Sequence, residues 1–353
     1  MKIEDVMDGF VKSKKRHIFI TGSKSMGKST LCKELSEYLH ANSMITKAVY
    51  QDNITPDYIE VQVDHKKVVF ADYNRRDNKF IVYPEKFKEV ALTFLEHNNS
   101  KWISIDEIGY LEKDIQEYND LLRQTLLHNH LLLTLRKDKE TELLEYLRSY
   151  EDAYFIDLDE QTFDVSCIIM ASGIGTRFGS NKLLADFQGK TLLEQVLDQI
   201  PFELFKEVIL VTRYPQVVEQ AKSYGITCIL HDLPRQSDTI KIGMEHITKT
   251  KGCMFVTCDQ PLRTTESIRK LLLTFWHNQE AMVRLCFKEL IGNPVIFPSI
   301  YYEELKNLSQ GEKGSTVVKA HPGNMIYVEA NHRYELADVD TKEDLLHLLK
   351  ISD

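Results

Sequence analysis

Closely spaced cysteines are missing from this sequence. Its six cysteines, Cys32, Cys167, Cys228, Cys253, Cys258 and Cys286, include no C-x-x-C unit, which argues against a structural zinc site built on close ligand pairs. Most lie inside apolar runs, so buried, reduced thiols are expected rather than a disulfide framework. Excess positive charge is missing too. There are 44 Lys and Arg against 53 Asp and Glu, a net charge of −9. Non-specific nucleic-acid binding needs a basic face, so no nucleic-acid partner is expected. One basic cluster, Lys12, Lys14, Lys15 and Arg16, reads as a solvated face beside a first strand. No apolar run approaches the ~20 residues of a membrane-spanning helix. The amino-terminal Met1-Lys2-Ile3-Glu4-Asp5 lacks the apolar centre of a signal peptide. A cytoplasmic location without a membrane partner is the expectation.

At 353 residues the chain exceeds one ordinary domain and suits two. The boundary falls between Asp157 and Val165, where a short polar stretch separates two β-like runs. The expected domains are therefore 1–160 and 161–353. Apolar spacing predicts helices at 29–41, 85–97, 114–127, 139–150, 190–200, 214–224, 237–249, 264–277 and 342–350. Apolar runs predict strands at 17–21, 102–105, 131–135, 154–157, 166–171, 207–212, 226–230, 253–258, 282–287 and 294–297. Strands alternating with helices predict an α/β class, with parallel sheets flanked by helices in both halves.

The richest motif is Ile168 to Leu184, IIMASGIGTRFGSNKLL. Gly173, Gly175 and Gly179 let a backbone approach phosphate closely, and Arg177 and Lys182 add full positive charges. A second apolar run, Cys253 to Cys258, ends in Asp259-Gln260-Pro261. An acid at the carboxyl end of a buried strand is where an open α/β sheet keeps its ligand crevice. Mg²⁺ takes one or two carboxylates plus substrate phosphates, which gives Asp259 a use. Further on stand Gly292-Asn293-Pro294, Gly311-Glu312-Lys313-Gly314-Ser315 and Asp338-Val339-Asp340-Thr341.

Together these segments, from about Val165 to Leu349, resemble the MobA/MocA-like nucleotidyltransferases, and among them the molybdenum cofactor cytidylyltransferases. One departure is visible. The family has Leu-Ala-Ala-Gly or Leu-Ala-Gly-Gly where this chain has Met170-Ala171-Ser172-Gly173. The resemblance implies a Rossmann-like, glycosyltransferase-A-like sheet and transfer of a nucleotide onto the phosphate of molybdopterin cofactor. It places Ala171, Ser172, Gly173 and Gly175 at the nucleotide, with the amides of 172–176 on the triphosphate. Arg177 would counter charge on the departing pyrophosphate, Lys182 would serve the nucleotide, and Asp259 would hold Mg²⁺. Asp338 or Asp340 would complete the metal shell or meet the acceptor, although Asp340 also suits a helix cap. Ser237 lies where the family has a nucleotide-side loop and equally suits capping of the next helix. Lys182-Leu183-Leu184 and Asp259-Gln260-Pro261 match the cytidylyl kind, whereas the guanylyl kind has Asp-Lys and Asp-Thr-Pro. CTP is therefore the expected substrate, and a molybdenum hydroxylase is the implied receiver of the cofactor.

The first half carries Gly22-Ser23-Lys24-Ser25-Met26-Gly27-Lys28-Ser29, followed by Thr30. It fits G-x-x-x-x-G-K-[ST] between an apolar strand and a helix-like run, the context a P-loop requires. Gly22, Ser25, Gly27 and Thr30 belong to the nucleotide loop; Lys28 would reach the β/γ-phosphates and Ser29 the Mg²⁺. Trp102-Ile103-Ser104-Ile105 ends in Asp106-Glu107, suited to a metal-holding acid and a water-orienting acid. The continuation to Glu112 resembles the cancer-related nucleoside-triphosphatases over roughly residues 15 to 158. Two other readings stay open: a guanylyltransferase of the same cofactor, and a non-catalytic delivery protein switched by NTP.

Overall fold

The computed structural model describes residues 3–50, 56–173, 175 and 177–352. The chain divides into two compact units, one up to Glu160 and one from Gln161 on.

The first unit runs α1 (Ile3–Ser13), β1 (His17–Thr21), α2 (Lys28–Leu39), β2 (Asn42–Val49), β3 (Tyr58–Val63), β4 (Lys66–Asn74) and β5 (Lys79–Val82). It continues through α3 (Pro84–Glu96), β6 (Trp102–Ile108), α4 (Gln116–His128), β7 (His130–Leu135), α5 (Glu142–Arg148) and β8 (Ala153–Asp157). Its sheet has the order β5-β4-β3-β2-β6-β7-β1-β8. The five strands from β2 to β8 are parallel, but β2, β3, β4 and β5 form an antiparallel meander. The all-parallel expectation is corrected here. A parallel crossover needs a dozen or more residues, and only Asp64 and His65 join β3 to β4, with Asp64 at φ 50°. Phe19, Ile103, Leu131 and Leu133 of the parallel strands pack against Phe87 and Leu122 of the helices. Each such side chain contributes roughly 1.5–3 kcal/mol on burial.

The second unit begins β9 (Phe163–Ala171), β10 (Asp186–Phe187), β11 (Lys190–Thr191), α6 (Leu192–Asp198), β12 (Phe205–Thr212), α7 (Pro215–Ala221) and β13 (Thr227–Leu230). Then come α8 (Gln236–His246), β14 (Gly252–Thr257), α9 (Thr265–His277), β15 (Met282–Phe287) and β16 (Leu290–Pro298). It closes with α10 (Tyr302–Lys306), α11 (Gly314–Ala320), β17 (Met325–Glu329) and α12 (Lys342–Ser352). Its main sheet has the order β13-β12-β9-β14-β16-β15-β17. Only β16 runs against its neighbours, for the same reason: Lys288 and Glu289 alone join it to β15, with Lys288 at φ 53°. The chain leaves β9 toward β12 and returns to β14 on its other side, so the strand order reverses at β9. Ligands bind outside the carboxyl ends of strands at such a reversal.

All six cysteines are free; five are buried and Cys228 is half-buried. Among the described residues no helix is long and apolar enough to cross a membrane.

Candidate functional site

In the second unit, β9 ends at Ala171, whose carbonyl accepts from Thr212 Oγ1 at 2.8 Å. The loop beyond it carries Ser172, Gly173 and Gly175; Ile174 and Thr176 lie outside the described residues. Gly175 has φ 58°, and a Cβ there would stand 3.1 Å from the Ser180 carbonyl, so this left-handed turn favours glycine. Tyr214 donates its hydroxyl to the Gly173 carbonyl at 2.9 Å, and Ser172 Oγ donates to the Val211 carbonyl at 3.1 Å. Ser172 Oγ also lies 2.8 Å from His231 Nε2. The loop is therefore tied on both sides through the Ser172 hydroxyl and the Gly173 carbonyl.

Lys182 opens a single 3₁₀ turn whose start is capped by the Asn181 side chain. Its side chain is 8% exposed. The ammonium donates to the Val339 carbonyl at 2.7 Å, to Asp340 Oδ1 at 3.1 Å and to Asp259 Oδ2 at 3.2 Å. Burial works against this charge, but the two carboxylates outweigh it and raise the Lys182 pKa. Arg177 donates to the other oxygen of Asp340 at 2.7 Å and stays largely exposed. Asp338 instead accepts from Gln260 Nε2 at 2.9 Å. Desolvation and the neighbouring Asp259 charge push its pKa above the usual carboxylate range. Ser172, Gly173, Gly175, Arg177, Lys182 and Asp259 line one cavity of about 430 Å³, a size that suits a nucleotide.

In the first unit, Gly27 holds φ 85° at the cap of α2, a left-handed turn that favours glycine. Lys28 Nζ donates to the Gly22 and Ser23 carbonyls at 2.9 and 3.0 Å, and burial lowers its pKa. Ser29 Oγ donates to Asp106 Oδ1 at 3.2 Å, and Thr134 Oγ1 donates to the same oxygen at 2.7 Å. Burial raises the Asp106 pKa, and those two hydroxyls oppose the rise. Glu107 sits at φ 70°, and its amide donates to Thr134 Oγ1. This left-handed kink interrupts the register of β6 against β7. Ser25, Gly27, Lys28, Ser29, Thr30 and Glu107 line a cavity of about 560 Å³.

Residues 17–169 match the family described as NTPase. Residues 167–325 match the MobA-like NTP transferase domain. An NTPase domain thus precedes a MobA-like NTP transferase domain. The chain is 26% identical over 196 residues to a Bacillus cereus protein named "Probable molybdenum cofactor guanylyltransferase", across 52% of this chain and 94% of that one. A protein of the same name from Aquifex aeolicus is 24% identical over 190 residues, 53% of this chain and 90% of that one. A solved nucleotidyl transferase from Methanothermobacter superposes with a TM-score of 0.46 at 18% identity, over 54% of this chain and 99% of that one.

Within the transferase domain, Arg177, Lys182, Asp259 and Asp340 come together, whereas Ser237 does not join them. Ser237 is buried in the first turn of α8, and its hydroxyl has no partner among the described residues. Nor does it cap that helix: the Asp238 side chain accepts from the Arg235 amide at 3.0 Å. Gln236, Arg235 and Thr239 reach the cavity wall in its place. The capping reading of Asp340 is likewise corrected. Thr341 Oγ1 caps α12 by accepting from the Asp344 amide at 3.1 Å, while Asp344 takes the amides of Asp340 and Thr341. The Asp340 carboxylate is left for Lys182 and Arg177. Sequence reasoning also missed Arg263, which is 1% exposed and donates to the Thr257 carbonyl and Gln260 Oε1 at 3.0 Å each. It fixes the strand end that bears Asp259, and no spacing rule marks it. In the NTPase domain, Ser29 meets Asp106 directly, and Thr134 links Asp106 to the Glu107 amide.

Proposed function

We propose that the transferase domain moves a nucleoside monophosphate from an NTP to the terminal phosphate of molybdopterin cofactor, with release of pyrophosphate. The NTPase domain, in the same reading, binds and hydrolyses a second NTP. The observation that carries the transferase reading is the meeting of Lys182, Asp259, Asp340 and Arg177 at the mouth of a nucleotide-sized cavity. A carrier that performs no chemistry has no use for paired carboxylates beside a phosphate loop.

The acceptor phosphate is already an anion, so a strong general base is unnecessary. The obstacle is the approach of like charges in line, which positioning and charge neutralisation overcome. An acceptor oxygen bonds to the α-phosphorus as the α–β bridging bond breaks, and pyrophosphate leaves with that electron pair. Arg177, exposed at the rim, neutralises the β- and γ-phosphates. Lys182 holds Asp259 and Asp340 in one arrangement. Magnesium fits these residues: Asp259 Oδ1 is buried without a hydrogen-bond partner among the described residues. Among those residues no group of three or more His, Cys, Asp or Glu could hold a metal ion; Mg²⁺ takes one or two carboxylates together with substrate phosphates. Asp259 and Asp340 would hold it, and it would supply further charge neutralisation; Ser29 and Asp106 have the same use in the NTPase domain.

The base is read as cytosine from Lys182-Leu183-Leu184 and Asp259-Gln260-Pro261. A second reading, GTP, is favoured by the names of the curated relatives. The deciding experiment measures pyrophosphate release from each of the four NTPs with Mg²⁺, with and without molybdopterin cofactor. Cofactor-dependent release from one NTP is the expected result. Release that ignores the cofactor would remove the acceptor assignment.

A further inference from the structure

In the NTPase domain β7 lies between β1 and β6. The strand feeding the P-loop therefore never touches the strand bearing Asp106, and whatever β7 presents at its carboxyl end stands between phosphate cradle and acids. It presents Thr134 and, just beyond its last residue, Arg136. Arg136 Nη1 lies 3.3 Å from Glu107 Oε1, on the wall of the cavity that also holds Lys28.

The rest of this guanidinium is fixed. Nε and Nη2 donate to the two carboxylate oxygens of Asp138 at 3.0 and 2.8 Å, a bidentate pair. Arg148 Nη2 braces the same loop by donating to the carbonyls of Arg136 at 2.6 Å and Lys139 at 2.8 Å. A Cβ on Gly109 would stand 3.2 Å from Arg136 Cδ, so the residue after β6 leaves just enough room for the arginine. One edge of the guanidinium is thus a structural anchor, and the other points to Glu107. Lys24, Lys28, Arg136 and Lys139 line a single cavity against Glu107, Glu112 and Asp138. Gathering those cations has an electrostatic cost that a polyphosphate removes.

We propose that Arg136 is a built-in charge donor for the terminal phosphate of an NTP in this cavity, so that the NTPase domain needs no arginine from a partner. The inference rests on the reading of this domain as an NTP hydrolase. Arg136 Nη1 exchanges Glu107 for a γ-phosphate oxygen, and Glu107, released, orients a water molecule from solvent. The water oxygen bonds to the γ-phosphorus while the bond to the β–γ bridging oxygen breaks. The nucleoside diphosphate leaves with that electron pair, and the water proton passes to Glu107 and then to solvent. Asp138 is a positioning residue in this scheme.

The test is steady-state phosphate release by the full-length chain with MgATP and MgGTP, alongside nucleoside diphosphate binding by calorimetry. Arg136→Ala is expected to lower kcat at least about 100-fold, the scale of an arginine that meets transition-state charge. KM and diphosphate affinity should change less than about fivefold, because the stabilisation exists mainly in the transition state. Arg136→Lys should recover less than about a tenth of the lost rate, since an ammonium cannot hold Asp138 bidentately and reach the phosphate as well. Asp138→Asn, which leaves Arg136 in place, should give an intermediate kcat and guards against misreading a folding defect. A kcat within threefold of wild type for Arg136→Ala, or a KM rise at unchanged kcat, overturns the role of Arg136 alone. Wild-type hydrolysis that survives Lys28→Ala, or no hydrolysis by the wild type, overturns the hydrolase reading and the inference with it.

Discussion

Lys182 and Asp259, carried by the segments that follow the adjacent parallel strands β9 and β14, are joined by an ion pair of 3.2 Å. The lysine is buried, so each partner holds the other in place, and Asp340 completes the clamp at 3.1 Å. Asp259→Asn keeps the size of the side chain and removes the charge needed at the phosphates. Lys182 retains Asp340 and the Val339 carbonyl, so the fold survives, checked by an unchanged circular dichroism spectrum and cooperative unfolding. Transfer activity is expected to fall at least about 100-fold, and added Mg²⁺ should not restore it. Turnover near the wild-type rate at ordinary Mg²⁺ would remove the metal-ligand assignment.

The two nucleotide sites are expected to be separable. Lys28 is the cation that backbone amides of the P-loop cannot replace, and its ammonium donates to the Gly22 and Ser23 carbonyls. Lys28→Ala should abolish NTP binding by the NTPase domain, read by calorimetry with nucleotides that do not serve the transferase. Pyrophosphate release by the full chain should stay within about threefold of wild type, well under the roughly tenfold that 1.4 kcal/mol of barrier represents. If Lys28→Ala stops transfer as fully as Asp259→Asn, the domains work as one coupled machine.

Much of this arrangement is legible in the residues, because glycines and cations at fixed offsets carry their own geometry. Ser29 and Asp106 meet because a P-loop and an acid-terminated strand end at the same side of one sheet. The partners that come from elsewhere in the chain were not legible. Thr134 ends an apolar strand like any other, and only the strand order brings it to Asp106. Arg263 reads as an ordinary exposed arginine until packing buries it against the Thr257 carbonyl and the Gln260 side chain. The meander of β2 to β5 escaped notice because its strands mix exposed and half-buried positions, as in Asn42–Val49, and lack a clean alternation. Ser237 misled for a related reason: a serine at a helix start suits a cap, but Asp238 takes the amide first.

His17 is expected to make the NTPase domain sensitive to acid. It is fully buried, its Nδ1 accepts from the Leu131 amide at 3.1 Å, and burial lowers its pKa to about 4, with the Arg16 charge adding to the shift. Above the ordinary value of 6.5 both folded and unfolded chains leave it neutral, and it imposes no penalty. As pH falls from 6.5 toward 4, the unfolded chain binds a proton that the native state refuses, so stability is lost across that window. The shift corresponds to about 3 kcal/mol at its full extent. His17→Asn keeps an acceptor for Leu131 and cannot titrate. Hydrogen exchange at the Leu131 amide should show wild type losing more protection than the variant between pH 6.5 and 4. Parallel losses in the two proteins would mean that carboxylates alone govern the acid limit.

Base selection is the finest question the transferase domain poses. A pyrimidine site is smaller than a purine site, and hydrogen-bonding groups matched to cytosine leave buried partners unpaired when guanine enters. Unpaired groups discriminate strongly, whereas pocket size alone gives modest factors. Ser172, which departs from the alanine or glycine usual in the resembling family, adds a hydroxyl at the loop and ties it to His231 at 2.8 Å. The Gly173 carbonyl accepts from the Tyr214 hydroxyl, so both residues of this loop are tied to neighbouring segments. CTP should exceed GTP by at least about tenfold in kcat/KM, equivalent to roughly 1.4 kcal/mol of differential transition-state binding. Competition between the two nucleotides at equal concentration, followed by mass analysis of the extended cofactor, measures the ratio directly. Equal or better use of GTP would move the assignment to guanylyl transfer, and the roles of Lys182, Asp259 and Asp340 would be unchanged, because they act on phosphate and not on the base.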